Sequence, residues 1–230
     1  MSDLKSIISE LESLRSIKNL TGMSKFGINT EYAFGISIPH LRKLSKEIGS
    51  DTELAIELWD SGYHEARILA SMTADPKIID KKVLEKWAED FNSWDLCDQC
   101  CNNLIGKTEF AVDLTFKWTE RKEEFVKRAG FVLIAVLSVH RKTMTNQDFQ
   151  KYFPIIIKHA VDERNFVMKA VNWSLRQIGK RNLFLNSKAV EAAEIINNID
   201  SKPAKWIASN ALNEIKSDKI IKRLQQKINK

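Results

Sequence analysis

Val126-Lys-Arg-Ala-Gly-Phe-Val-Leu-Ile-Ala, wound as a helix, is apolar around nearly its whole circumference. Such a helix has no solvent face and must be buried between neighbours. Three other stretches share this character. They are His64-Glu-Ala-Arg-Ile-Leu-Ala, Phe166-Val-Met-Lys-Ala-Val-Asn-Trp-Ser-Leu and Lys202-Pro-Ala-Lys-Trp-Ile-Ala-Ser-Asn-Ala-Leu. The helical segments between them have one polar and one apolar face. An alternation of two-faced and all-apolar helices is the mark of stacked helix pairs, an all-α solenoid.

Working outward, apolar residues recur at helical spacing almost from end to end. Leu4, Ile7, Ile8, Leu11 and Leu14 open the pattern, and Thr21-Gly-Met-Ser-Lys-Phe-Gly reads as a turn-rich break. Helices are then expected over 39–48, 53–59, 64–73, 81–91, 94–105, 110–118 and 125–137. The pattern resumes over 149–161, 166–178, 189–195, 203–215 and 220–228. No strand alternation, linker or low-complexity segment interrupts it, so residues 1–230 read as a single domain. With only 8 Gly and 4 Pro in 230 residues, the connections must be short. No run of about 18 apolar residues and no apolar signal core are present, so a cytoplasmic protein with no membrane partner is expected.

Lys and Arg number 36 against 30 Asp and Glu, a net charge of +6. That excess permits a nucleic-acid partner without requiring one; the placement of the charge decides. Superposing the apolar helices by their small residues aligns Arg67, Asp98, Arg128, Lys169 and Lys205, at intervals of 31, 30, 41 and 36 residues. These match helical-repeat periods. Equivalent positions of a solenoid line one edge of its concave surface. A cationic groove is therefore expected, suited to phosphates, although charged inner-helix ends occur in repeat proteins of any function.

Asp98 is the one acid in this column. Either it pairs with Arg128 one repeat away, or it has a chemical task. Ser93 is placed to cap its helix, with Asp95 in the first turn complementing the dipole. Trp94 and Asp98 then stand four residues apart on one face, as do Lys169 and Trp173. Trp59, Trp87, Trp118 and Trp206 read as packing residues. The three cysteines, Cys97, Cys100 and Cys101, share the apolar face of one helix. Without a second ligand pair they read as buried small side chains, not a metal site.

Phe91-Asn-Ser-Trp-Asp-Leu-Cys-Asp, Phe125-Val-Lys-Arg-Ala-Gly-Phe and Phe166-Val-Met-Lys-Ala-Val-Asn-Trp-Ser-Leu-Arg resemble the AlkD-type DNA alkylation repair family. Ala33-Phe-Gly-Ile-Ser-Ile-Pro-His-Leu-Arg is similar to that family's entry helix, and the likeness runs from about residue 25 to 215. It implies a HEAT-like solenoid cradling duplex DNA in its concave face. It also implies excision of N3- and N7-alkylated purines with no metal or cofactor. Carried over, the catalytic carboxylate is Asp98 in Trp-Asp-x-x-Asp, the groove tryptophans are Trp94 and Trp173, and the cation beside the lesion is Arg128. Arg67, Lys169 and Lys205, with Arg128, are the expected phosphate contacts. Three positions depart from the family pattern: Ser37-Ile38 where Gln-Thr is frequent, and Asn172 where Gly is frequent.

The expected function is a monofunctional, monomeric alkylpurine DNA glycosylase acting on duplex DNA. The alternatives are a non-catalytic DNA-binding module, or a protein scaffold, on the same fold.

Overall fold

The computed structural model describes residues 3–226; the end of the last expected helix, Ile228, lies outside the described residues. Among these, fifteen α-helices and one 3₁₀ turn form the chain, with no strand. The contacts divide it into two compact units, Met1–Ala111 and Val112–Lys230.

The first unit contains α1 (Leu4–Ser13), α2 (Ile17–Lys25), α3 (Ile38–Ile48), α4 (Thr52–Asp60), α5 (His64–Thr73), α6 (Lys81–Glu89) and α7 (Trp94–Asn103). A 3₁₀ turn over Ile105–Lys107 follows. Its centre is α5, which packs on α3, α4 and α7. Trp59 of α4 and Trp87 of α6 are fully buried and stack face to face, with ring centroids 4.2 Å apart and planes 3° from parallel. Glu65, also buried, accepts hydrogen bonds from the backbone N–H groups of Phe34, Gly35 and Ile36 at 2.8, 2.6 and 3.1 Å. These bonds compensate the cost of burying the carboxylate and tie the segment before α3 to the start of α5. Gly35 is required there: its φ is +81°, and an added Cβ would fall 2.6 Å from the Ser16 carbonyl oxygen.

The second unit contains α8 (Ala111–Thr119), which starts at the boundary, and α9 (Glu124–His140). Then follow α10 (Asn146–Gln150), α11 (Phe153–His159), α12 (Asn165–Gly179), α13 (Leu183–Asn197), α14 (Lys202–Ile215) and α15 (Asp218–Gln226). Here α12 is central, packed on α9, α11, α13 and α14. Residues 128–138 of α9 are all buried, as an all-apolar helix requires. Gly130 lets α9 approach α8: a Cβ there would lie 2.6 Å from the Thr119 nitrogen and 2.9 Å from the Trp118 carbonyl carbon.

Side-chain bonds tie neighbouring repeats at recurring separations. His64–Asp95 spans 31 residues, Lys127–Asp162 spans 35, Asn182–Asn146 spans 36, and Arg128–Phe166, Asn172–Asn210 and Arg176–Glu214 each span 38. The period expected from the sequence is thus physically present as hydrogen bonds.

Three expectations need correction. Residues 21–25 belong to α2 rather than to a turn: Gly22 sits within the helix, where an added Cβ would meet nothing within 4 Å. The helix expected over 149–161 is two, α10 and α11, because Pro154 enters the first turn of α11 and cannot continue the preceding helix. Nor are α12 and α14 apolar all round. Lys169 stays exposed and Trp173 half-buried on α12, while Lys202, Lys205 and Trp206 stay exposed on α14.

Candidate nucleic-acid interface

In the first unit, the candidate residues stand on α7. Ser93 occupies the N-cap position with extended backbone, although its side chain makes no capping bond to the helix amides. Leu96, Cys97, Cys100 and Cys101 bury one face of α7. Burial pushes the Cys100 and Cys101 thiols well above the ordinary range, as expected for inert packing cysteines. Trp94 and Asp98, one turn apart, are both half-buried. The Trp94 indole Nε1 donates to the Phe26 carbonyl at 2.9 Å, which fixes the ring. Asn102 Nδ2 donates to the Asp98 backbone carbonyl at 2.9 Å.

Asp95 has a different task. Its Oδ2 lies 2.9 Å from His64 Nε2. Burial works to raise its pKa, yet the hydrogen bond and charge of His64 outweigh this and hold the carboxyl below its usual range. Arg67 is only 17% exposed and faces inward: Nη2 lies 3.4 Å from Asp90 Oδ2. Its guanidinium lies over the Trp59 ring at 5.4 Å, beside the C-terminal ends of α4 and α6.

The second unit carries the remaining candidates. Arg128 is buried, and its Nη1 donates to the Phe166 carbonyl at 2.7 Å, so it clamps α9 to the first turn of α12. Lys169 is exposed and Trp173 half-buried, on one stripe of α12. Next to Trp173, Asn172 is buried and donates to Asn210 Oδ1 at 2.7 Å. Lys205 is exposed and its ammonium donates to the Asn197 carbonyl.

The register used to align these residues is visible in the contacts. His64 and Asp95 stand three positions before Arg67 and Asp98, and they bond to each other. Phe125 and Phe166 stand three positions before Arg128 and Lys169, and their rings lie 5.6 Å apart. These two contacts follow the alignment of Arg67 with Asp98 and of Arg128 with Lys169, whereas between α12 and α14 the bonds Asn172–Asn210 and Arg176–Glu214 span 38 residues, two more than the 36 that align Lys169 with Lys205.

The chain matches the model of the DNA alkylation repair enzyme family over residues 7–215. It belongs to that family. Among solved structures it is similar to a member of a new family of proteins related to the HEAT-like repeat DNA glycosylases, with affinity for branched DNA structures. The TM-score is 0.77 at 20% identity, over 90% of this chain and 93% of that one. That likeness establishes the HEAT-like repeat fold. A designed armadillo repeat protein in complex with a (KR)4 peptide superposes with a TM-score of 0.32 at 16% identity, over 97% of this chain and 80% of that one. No curated protein matches the chain.

Among the described residues, no group of three or more His, Cys, Asp or Glu side chains is placed to hold a metal ion. No described helix is long and apolar enough to cross a membrane. One aromatic was misassigned from sequence. Trp59, Trp87 and Trp118 are buried as packing residues, but Trp206 is 40% exposed. It lies on α14 beside Lys205, which is exposed as well. Phe26, 73% exposed and anchored through its carbonyl to Trp94, fell within the segment read as a turn.

Proposed function

We propose that the chain is a DNA glycosylase that releases cationic N3- and N7-alkylated purines from duplex DNA. The observation that carries this reading is the pair Trp94 and Asp98. Both are half-buried and stand one turn apart on the same face of α7. An indole face beside a carboxylate is suited to a sugar on which positive charge develops.

Alkylation at N3 or N7 leaves the purine positively charged. When the N-glycosyl bond breaks, its electron pair returns to the base, which leaves neutral, and the charge passes to the sugar as an oxocarbenium ion. No proton donor to the base is needed. Asp98 stabilises the sugar cation by its charge, and water then adds to the sugar carbon and gives up a proton. Trp94 packs on the sugar. For Trp173 and Arg128, in the second unit, the family resemblance implies contact with the bound DNA. Lys169 and Lys205, both exposed, bind phosphates without reading sequence.

A second reading is binding without catalysis. The structural relative with affinity for branched DNA supports it. The two readings separate in one assay. Methylated duplex is incubated with the protein, and released 3-methyladenine and 7-methylguanine are measured above spontaneous depurination. Release supports the glycosylase. Tight binding to a four-way junction with no release supports the binding module.

A further inference from the structure

The second unit contains a cleft of about 240 Å³ at the opposite end of α12 from Lys169. Its walls are Ser138 at the end of α9, Lys142 just beyond, Gln177 and Lys180 at the end of α12, Arg181, and Arg223 of α15. Four of these side chains are cations, and among the described residues that line the cleft none is a carboxylate, although Glu214 is paired with Lys180. Like charges converging on a concavity repel one another unless an anion joins them.

Arg181, Lys142 and Arg223 bond to backbone carbonyls, while Lys180 is paired with the Glu214 carboxylate. Arg181 donates to the carbonyls of Ser138, Arg141 and Met144 at 2.9, 3.0 and 3.0 Å. It thereby covers the negative end of the α9 dipole, which would otherwise oppose an anion here. Lys142 Nζ donates to the Val139 carbonyl at 2.7 Å, and Lys180 Nζ to Glu214 Oε1 at 2.6 Å. A lysine ammonium has three N–H donors and a guanidinium five, so Lys142 and Arg223 keep donors for a ligand. Lys142 and Arg223 are exposed to incoming groups.

The placement indicates what the ligand is attached to. Lys169, Trp173, Gln177 and Lys180 fall at i, i+4, i+8 and i+11, one continuous stripe along α12. At 1.5 Å per residue, Lys180 lies about 16 Å along the axis from Lys169. That is comparable to the ~12 Å width of a DNA major groove, across which two phosphate backbones face each other.

We propose that this cleft binds a phosphate of the DNA backbone, a second anchor at the far end of the α12 stripe that begins at Lys169. The inference rests on the reading of the chain as a DNA binder and is independent of glycosylase chemistry.

The test is duplex affinity, measured by fluorescence anisotropy across a salt series. Wild type is compared with Lys142→Ala/Arg223→Ala and with Lys188→Ala/Lys216→Ala. The second pair removes the same charge from exposed sites on α13 and after α14. Circular dichroism melts verify folding, and Lys142→Gln/Arg223→Gln repeats the test with side-chain bulk retained. The cleft variants should lower the slope of log K against log salt by about 0.9, the loss of one neutralised phosphate. The control pair should keep the wild-type slope. An unchanged slope in the cleft variants, or an equal fall in the controls, overturns the proposal. Titration with inorganic phosphate and with a mononucleotide forms the second arm. Binding of either that is lost in the cleft variants, with the duplex slope unchanged, assigns the cleft to free phosphate anions and also overturns it. A wild-type protein with no affinity for DNA would overturn both this inference and the reading beneath it.

Discussion

His64 Nε2 lies 2.9 Å from Asp95 Oδ2, joining equivalent first turns of two successive inner helices, α5 and α7. The pair is buried, with side chains 5% and 15% exposed. It removes Asp95 from the set of acids available for chemistry and fixes the turn that presents Trp94. His64 Nδ1 has no partner among the described residues. Asp95→Ala would therefore leave the whole imidazole buried without a bond. The expected cost is about 1–3 kcal/mol, lowering the melting temperature by roughly 2–12 °C in a chain of this size. Thermal unfolding of the variant checks this; an unchanged melting temperature would show that the pair does not hold α7.

Gly130→Ala tests the close approach of α8 and α9. The added Cβ would meet backbone atoms of Trp118 and Thr119, which cannot rotate aside. Overpacking of this kind costs about 1–3 kcal/mol or more. The expected outcome is a lower midpoint of chemical denaturation with an unaltered slope, and a variant as stable as wild type would refute the packing argument.

The acid limb of stability should report Asp162. Burial works to raise its pKa, but bonds from Arg164 at 2.6 and 2.9 Å, with Lys127 at 3.3 Å, hold it below the usual carboxylate range. A carboxylate whose pKa falls on folding stabilises the protein above its unfolded value, near 3.9. That contribution is lost as pH drops through the lower folded value. Melting temperature should fall steeply below about pH 4 in wild type. Asp162→Asn should be less stable at neutral pH and show a shallower acid limb. Parallel acid limbs would remove Asp162 from the account.

Much of the fold was legible because a repeat protein writes one pattern several times. The register relating Arg67 to Asp98 and Arg128 to Lys169 could be read from small apolar residues, and the contacts His64–Asp95 and Phe125–Phe166 follow it. What failed to show depends on neighbours distant in sequence. Gly22 resembles a turn former, and only its place in α2 shows otherwise. Arg67 carries the same column position as Lys169, yet Asp90 and Trp59 draw it inward while Lys169 stays exposed. Trp206 sits in an apolar segment and reads as packing, yet it is 40% exposed beside Lys205. The basic cleft at the end of α12 joins residues from 138 to 223, with no local motif to announce it.

The exposed lysines should act on DNA without regard to sequence. Lys169→Ala is expected to weaken binding to unrelated duplexes alike and to lower the salt slope by about 0.9. Anisotropy on two duplexes of different sequence checks this, and a loss confined to one of them would contradict a phosphate contact.

Leaving-group chemistry sets the substrate range. If Asp98 only stabilises a sugar cation, neutral lesions such as hypoxanthine and uracil should persist, since their departure needs protonation. His64, buried against Asp95, is poorly placed to supply it. Comparable release of hypoxanthine and 7-methylguanine from otherwise identical duplexes would refute this mechanism.

The most direct test of the central claim is single-turnover release of 7-methylguanine from a duplex holding one such lesion, by wild type and by Asp98→Asn. The account predicts release by wild type well above spontaneous depurination. It predicts a fall of roughly 10²–10³-fold in the variant, the scale of losing one preorganised electrostatic group, with folding intact and DNA affinity equal or higher. No release by wild type, or equal rates from the two proteins, would contradict it.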